Sequence, residues 1–174
     1  MHIRLMPYPG SSCEAVTAIE ADLERGRDSI TLSYVARGNT AGLLLPRPAA
    51  PARADNLWRH TCFELFVRGA NTPAYWEFNF SPSSEWAAYR FTNYRADMEN
   101  APIASPVIAA HSGAASFELR VSLESLSLPH GAWRVGLTAV IEETNARKSY
   151  WALAHAGAKP DFHLADSFTL ELPE

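Results

Sequence analysis

Leu57-Trp58-Arg59-His60-Thr61-Cys62-Phe63-Glu64-Leu65-Phe66-Val67, Tyr75-Trp76-Glu77-Phe78-Asn79-Phe80-Ser81-Pro82 and Glu85-Trp86-Ala87-Ala88-Tyr89-Arg90-Phe91 follow one another closely along the chain. Large apolar residues alternate within each, the period-two signature of a half-buried strand. Phe63, Leu65 and Val67 share one side of the first stretch, and Cys62, Glu64 and Phe66 share the other. Trp76, Phe78 and Phe80 oppose Tyr75, Glu77 and Asn79 in the second, while Ala87, Tyr89 and Phe91 oppose Trp86, Ala88 and Arg90 in the third. Solvent-facing strand positions ordinarily carry Thr, Lys or Ser. Two carboxylates, an amide and a guanidinium beside tryptophans point instead to a recognition surface.

The same rhythm extends outward. Thr17-Ile19-Ala21-Leu23 and Ile30-Leu32-Tyr34-Ala36 predict a hairpin turning at Arg25-Gly26-Arg27-Asp28. Pro46 to Asp55 reads as a surface connection, Ser81-Pro82-Ser83-Ser84 as a tight turn, and Asn93 to Pro106 as a longer loop. Strands are expected at Phe117–Leu123, Trp133–Ile141, Ser149–His155 and Phe168–Leu172, with one helical turn at Ser125–Leu128 and an irregular segment at Ala156–Asp166. Eight to ten short strands with almost no helix predict an all-β fold, a two-sheet antiparallel β-sandwich of jelly-roll or immunoglobulin-like type, in a single domain.

The bulk composition bounds the function. With 174 residues, 47% hydrophobic and 20% charged, the chain can bury a core. A net charge of −4 and the lack of any Lys/Arg run argue against nucleic acid. No stretch reaches membrane-spanning length. Met1 to Ser12 holds no apolar leader, and Cys13 and Cys62 make no disulfide framework, so a cytoplasmic location is expected.

If the three aromatic strands are neighbours, Glu64, Glu77 or Asn79, and Arg90 meet laterally, since adjacent strands lie about 5 Å apart. Two readings compete. One is a cross-strand ion pair on a half-exposed face, contributing ~1 kcal/mol at most. The other is a polar rack that hydrogen-bonds a polyhydroxy ligand next to an aromatic ring. A second cluster runs from Tyr150-Trp151 through His155 to Lys159-Pro160-Asp161-Phe162-His163. Its Asp-x-His spacing is too weak to specify a metal, but loops at the end of a sandwich often carry ligand contacts. His155, Asp161 and His163 therefore join the candidates. Trp76 and Trp133 lie on apolar parities and read as core. Trp58, Trp86 and Trp151 flank strand starts and are the candidate platforms.

These residues carry a resemblance. From Leu57 onward, through Trp58-Arg59-His60-Thr61-Cys62-Phe63-Glu64, Trp76-Glu77-Phe78-Asn79-Phe80-Ser81-Pro82, Trp86–Phe91, Tyr150-Trp151-Ala152-Leu153, Lys159–His163 and Phe168–Leu172, the chain resembles the bacterial DOMON-like domains that are similar to the family 9 carbohydrate-binding module. The resemblance implies a sandwich with a ligand held against or between its sheets, and that ligand is a sugar in some relatives and haem in others. It carries tryptophan stacking onto Trp58, Trp86 and Trp151. Because no secretion signal or attached catalytic domain is seen, a soluble sugar or glycoside is expected in place of an extracellular polysaccharide.

Four functions follow as expectations. The first is a non-catalytic carbohydrate-binding domain using Trp58, Glu64, Glu77, Asn79, Trp86, Arg90, Trp151, His155, Asp161 and His163. The second is a haem-binding domain with Met98 and His155 or His163 as ligands, Met6 and His60 being weaker choices. The third, glycoside hydrolysis by Glu64 and Glu77, needs a deep cleft that nothing in the sequence specifies. The fourth is a structural or protein-binding sandwich, with a homodimer as one form. The first is preferred, with no cofactor and no metal.

Overall fold

The computed structural model describes all 174 residues. It is entirely β apart from three single 3-10 turns, at Thr40–Gly42, Leu57–Arg59 and Ala165–Ser167. Twelve strands run in chain order: β1 (His2–Pro7), β2 (Val16–Arg25), β3 (Ile30–Gly38), β4 (Cys62–Gly69), β5 (Tyr75–Phe80), β6 (Trp86–Phe91), β7 (Glu99–Asn100), β8 (Val107–Ser112), β9 (Ser116–Leu123), β10 (Trp133–Glu142), β11 (Lys148–Ala152) and β12 (Leu170–Leu172). All pairings between them are antiparallel.

The strands form one continuous path, β7-β6-β5-β4-β10-β11-β1-β2-β3-β9-β8, with β12 beside the start of β10. β1 makes this continuity. Its residues His2 to Leu5 pair with β2, and Met6 and Pro7 pair with β11. The expected pair of separate sheets is thus replaced by a single antiparallel sheet whose two wings curl onto each other. The interior lies between the wings. Tyr34 of β3 packs on Phe63 of β4 with ring centroids 5.0 Å apart, and Phe63 stacks on Phe117 of β9 at 5.8 Å. One cluster of 31 buried residues drawn from both wings forms this core.

The hairpin β2–β3 forms as expected, but a register shift between Val16 and Ala18 turns Thr17 outward and buries Val16 in its place. β4, β5 and β6 are neighbours with the predicted bounds to within two residues. Three expectations fail locally. Ser125–Leu128 is not helical, and Ser125 takes a left-handed conformation with φ 55°. The loop after Phe91 contains β7 and ends at β8, which exposes residues on both faces and so lacks alternation. Phe168 lies outside the last strand and packs with Phe66 on the outer side of the second wing.

That outer side positions the site. Phe66, Tyr75, Tyr89, Phe91, Val140 and Phe168 belong to a second, smaller buried cluster there. The segment Ala156–Ser167 closes over it. Gly136 on β10 admits Phe168: a Cβ at that position would lie 2.8 Å from the Phe168 ring.

Candidate functional site

A cavity of about 900 Å³ opens on this outer side. Its floor is Glu64 from β4, Glu77 from β5 and Val140 from β10. Tyr89 and Phe91 of β6 and Tyr150 of β11 form strand-borne walls, and Phe162 and His163 close it from the Ala156–Ser167 segment. Trp58, Met98 and Lys159 reach it from surrounding loops, and the Trp58 side chain is half exposed. The register explains the floor. Glu64 stands opposite both Asn79 and Thr138, and Glu77 stands opposite Phe66 and Tyr89, so all share one pleat face.

Each floor carboxylate is gripped by one oxygen. Thr138 Oγ1 donates to Glu64 Oε2 at 2.9 Å, and Asn79 Nδ2 donates to Glu77 Oε1 at 2.7 Å. Glu64 is 3% exposed and Glu77 5%. Burial, reinforced by the neighbouring Glu77 charge, raises the pKa of Glu64 to about 8. Burial likewise raises Glu77, against the Asn79 hydrogen bond and the Arg95 charge. Side by side in a sheltered floor, the two groups titrate as a pair.

A hydrogen-bonded chain braces the wall beside them. The Arg95 amide donates to the Tyr75 hydroxyl oxygen at 3.1 Å, and that hydroxyl lies 2.7 Å from His163 Nδ1. Burial, with Arg95 nearby, lowers the pKa of His163 to about 4, so the ring is neutral at pH 7. One hydrogen bond joins the Tyr75 hydroxyl to Nδ1, and Nε2 lies 3.7 Å from Glu77 Oε2. Asp161 ties the loops together. It accepts from the Tyr94 hydroxyl at 2.6 Å, Arg95 Nη2 at 3.0 Å and the His163 amide at 3.1 Å. Burial would raise its pKa, but these donors outweigh burial and hold it below the ordinary range. Arg95 is kept at φ 50°, a left-handed conformation uncommon for a side chain of this size.

The expected residues divide. Trp58, Glu64, Glu77, Asp161 and His163 line the cavity. Asn79 lies behind it and holds Glu77. His155 lies outside it, bonded through Nε2 to the Met6 carbonyl at 2.8 Å and set edge-on to Tyr8. Three candidates need correction. Trp86 and Trp151 are 6% and 3% exposed and belong to the inner core. Trp151 pairs with Ala139, which pairs with Phe63, so it shares the inner pleat face. Arg90 stands opposite Trp76, not Glu77, and bonds the exposed Glu99 at 3.2 Å. It cannot meet Glu64. Tyr89, Phe91, Tyr150, Phe162 and Arg95 were not among the expected site residues. The first two share Glu77's face through the register between β5 and β6, which period two within a strand does not give, and Arg95 arrives by a loop no pattern marks.

The histidines expected as haem ligands are hydrogen-bonded to other groups. Met98 and His163 both line the cavity, where Nδ1 of His163 is bonded to Tyr75 and its Nε2 lies 3.7 Å from Glu77. His155 is spent on Met6.

No protein-family model matches the chain, and no curated protein matches it. Solved structures do resemble it in fold. A proposed carbohydrate-binding protein from Bacteroides uniformis superposes with a TM-score of 0.69 at 14% identity, covering 99% of this chain and 85% of the other. A family 9 carbohydrate-binding module from Caldicellulosiruptor kristjanssonii, in complex with cellotriose, gives 0.61 at 12% identity, over 99% and 81% of the two chains. A module of that family from the same organism, in complex with glucose, gives 0.51 at 10% identity, over 90% and 75%. At these identities the likeness is one of fold.

Proposed function

We propose that this protein is a non-catalytic carbohydrate-binding domain whose ligand is a soluble sugar or glycoside. The observation that carries the reading is the cavity of about 900 Å³ floored by Glu64 and Glu77 and walled by Tyr89, Phe91, Tyr150 and Phe162. Its size suits a mono- or disaccharide. A pyranose presents an apolar C–H face and a rim of hydroxyls. The aromatic walls match the first, and the free carboxylate oxygens match the second. A carboxylate with one oxygen fixed by Thr138 or Asn79 holds the other in place, which reduces the ordering cost on binding. Trp58 at the mouth is the stacking platform. The fold likeness to modules solved with glucose and cellotriose supports the same reading.

The other expectations have less support here. Glu64 and Glu77 pair on one floor, but the residues around them supply no distinct second environment of the kind that separates an acid from a base. The reading as a cross-strand ion pair needs Arg90 beside Glu64, but Arg90 bonds Glu99 and a cavity opens over Glu64.

Calorimetric and tryptophan-fluorescence titration with a panel of mono- and disaccharides tests the proposal. Saturable binding, weakened about tenfold by Trp58→Ala, is expected for loss of one stacking contact. No binding by any sugar in the panel, with a Soret band appearing on haem addition, would replace this reading with the haem one.

A further inference from the structure

We infer that the preferred ligand carries a protonated amine, as an amino sugar does, and that its cationic nitrogen lodges against Glu64 and Glu77. This inference rests on the sugar reading and narrows it to a chemical class.

The first ground is the unmatched charge of the floor. Glu64 and Glu77 are almost fully buried and are diagonal neighbours across β4 and β5. Neither makes a salt bridge to Arg or Lys, and the nearest approach by a basic group is the His163 ring at 3.7 Å from Glu77. The cations around the cavity are otherwise engaged or distant. Arg95 is bonded to Asp161, and Lys159 is exposed. The other acids of the cavity already have partners: Tyr89 donates to Asp55 at 2.6 Å, and Arg90 to Glu99. Glu64 and Glu77 are the acids of the cavity that are almost fully buried with no Arg or Lys bonded to them, and each has one oxygen outside its hydrogen bond to Thr138 or Asn79.

The second ground is independent of charge count. Tyr89, Phe91, Tyr150 and Phe162 wall the space above these oxygens. Aromatic faces attract a cation through the ring quadrupole, more strongly where water is excluded. An ammonium group is also matched in donors. It brings three N–H bonds, while a neutral hydroxyl brings one.

Energetics favours the same class. Two carboxylates in one shelter repel and are poorly solvated, so at pH 7 the pair retains a proton that exposed glutamates would have lost. A neutral sugar leaves that burden in place, whereas an ammonium relieves it and drives the retained proton off. The charged and titratable groups around the pair are Arg95 and His163 from the loops, Cys62 on β4, and the hydroxyls of Tyr34, Tyr75 and Tyr89, whose pKa values burial raises further above neutrality. Cys62 is buried with a raised pKa, and His163 is neutral, so Glu64 and Glu77 are the groups that release the proton.

Calorimetry on the whole protein at pH 7 decides it, using glucosamine and galactosamine against N-acetylglucosamine, N-acetylgalactosamine, glucose and galactose. The amines are expected to bind at least about tenfold tighter than their acetylated forms. Their binding heat should vary with the ionisation heat of the buffer, reporting proton release. Glu77→Gln and, separately, Glu64→Gln should collapse the amine-to-acetyl ratio toward unity. Amines and neutral sugars binding alike, or a ratio unchanged in both variants, overturns the inference and leaves the sugar reading standing. Binding of no sugar in the panel overturns both.

Discussion

The Tyr34 hydroxyl crosses the interior from β3 and donates to the main-chain oxygen of Glu64 on β4 at 2.5 Å. One side of β4 is thereby bolted to the opposite wing at the residue whose side chain, on the other face, floors the cavity. Fold and site meet in one peptide unit. Tyr34→Phe keeps the ring against Phe63 but leaves a buried hydrogen-bonding link unmade. It is expected to lower stability by ~1–2 kcal/mol in urea unfolding. An unchanged midpoint would show that the bond carries no net stability.

Much of this arrangement can be read from residue order. The alternation in β4 and β5 correctly separates Phe63, Leu65, Phe78 and Phe80 from Glu64, Glu77 and Asn79, and it places Trp76 and Trp133 against the core. Arg90 shows where such reading stops. Period two relates residues within a strand, but which face of β6 joins which face of β5 depends on register, and the register sets Arg90 opposite Trp76. Trp86 and Trp151 fail for the same reason. β1 is masked by Pro7 and Pro9, and its role as the seam between wings arises only from long-range pairing. Arg95 and Asp161 lie far apart in sequence and meet only in the fold.

Glu64 links pH to stability with a defined sign. Its pKa rises from 4.5 when unfolded to about 8 in the fold. Between those values the native state binds more protons than the unfolded one, so stability falls as pH rises through that window. Glu64→Gln removes the charge while an amide oxygen still accepts from Thr138. The variant should melt at a temperature similar to wild type at pH 4.5 and a few degrees higher at pH 8, for a gain of ~1–3 kcal/mol. Calorimetric melting across this range checks it, and an equal effect at both pH values would refute it.

His163 acts in the opposite direction. Its pKa falls from 6.5 to about 4 on folding, so the unfolded state takes up the proton first on acidification. Its contribution to stability is lost as pH falls from about 6.5 toward 4. At pH 6 the ring should be neutral, with hydrogen on Nε2 and Nδ1 accepting from Tyr75. Nitrogen-15 NMR of the imidazole distinguishes this form from the alternatives. A ring half protonated near pH 6.5 would dismiss the assignment.

Glu143 gives a test away from the cavity. Its Oε1 accepts from the amides of Glu14 and Ala15 at 2.9 and 2.7 Å, while Oε2 is buried without a partner. Glu143→Ala strands two amides, one of them buried, and should cost ~2–3 kcal/mol. Glu143→Gln keeps an acceptor and removes a buried charge, so it should retain most of the stability. Chemical denaturation of both variants checks the ordering, and equal losses would mean that the charge itself matters.

Trp58 and Trp86 separate recognition from packing. Trp86 lies in the inner core under the Arg53 guanidinium, 4.3 Å from the ring centroid, and Arg53 in turn donates to the Ala88 and Ala101 carbonyls at 2.9 and 2.8 Å. Removing the Trp86 ring opens a cavity and strips the cover from Arg53, so Trp86→Ala should lose ~3–5 kcal/mol. Trp58 is half exposed and belongs to neither buried cluster. Trp58→Ala should move stability by only ~0.5 kcal/mol. If the cavity takes a sugar, the order reverses for binding. Trp58→Ala then weakens it, while a Trp86→Phe variant that keeps the core filled binds as wild type does. Paired unfolding and titration curves therefore distinguish platform from plug, and a Trp58 variant that unfolds easily but binds normally would exchange the two roles.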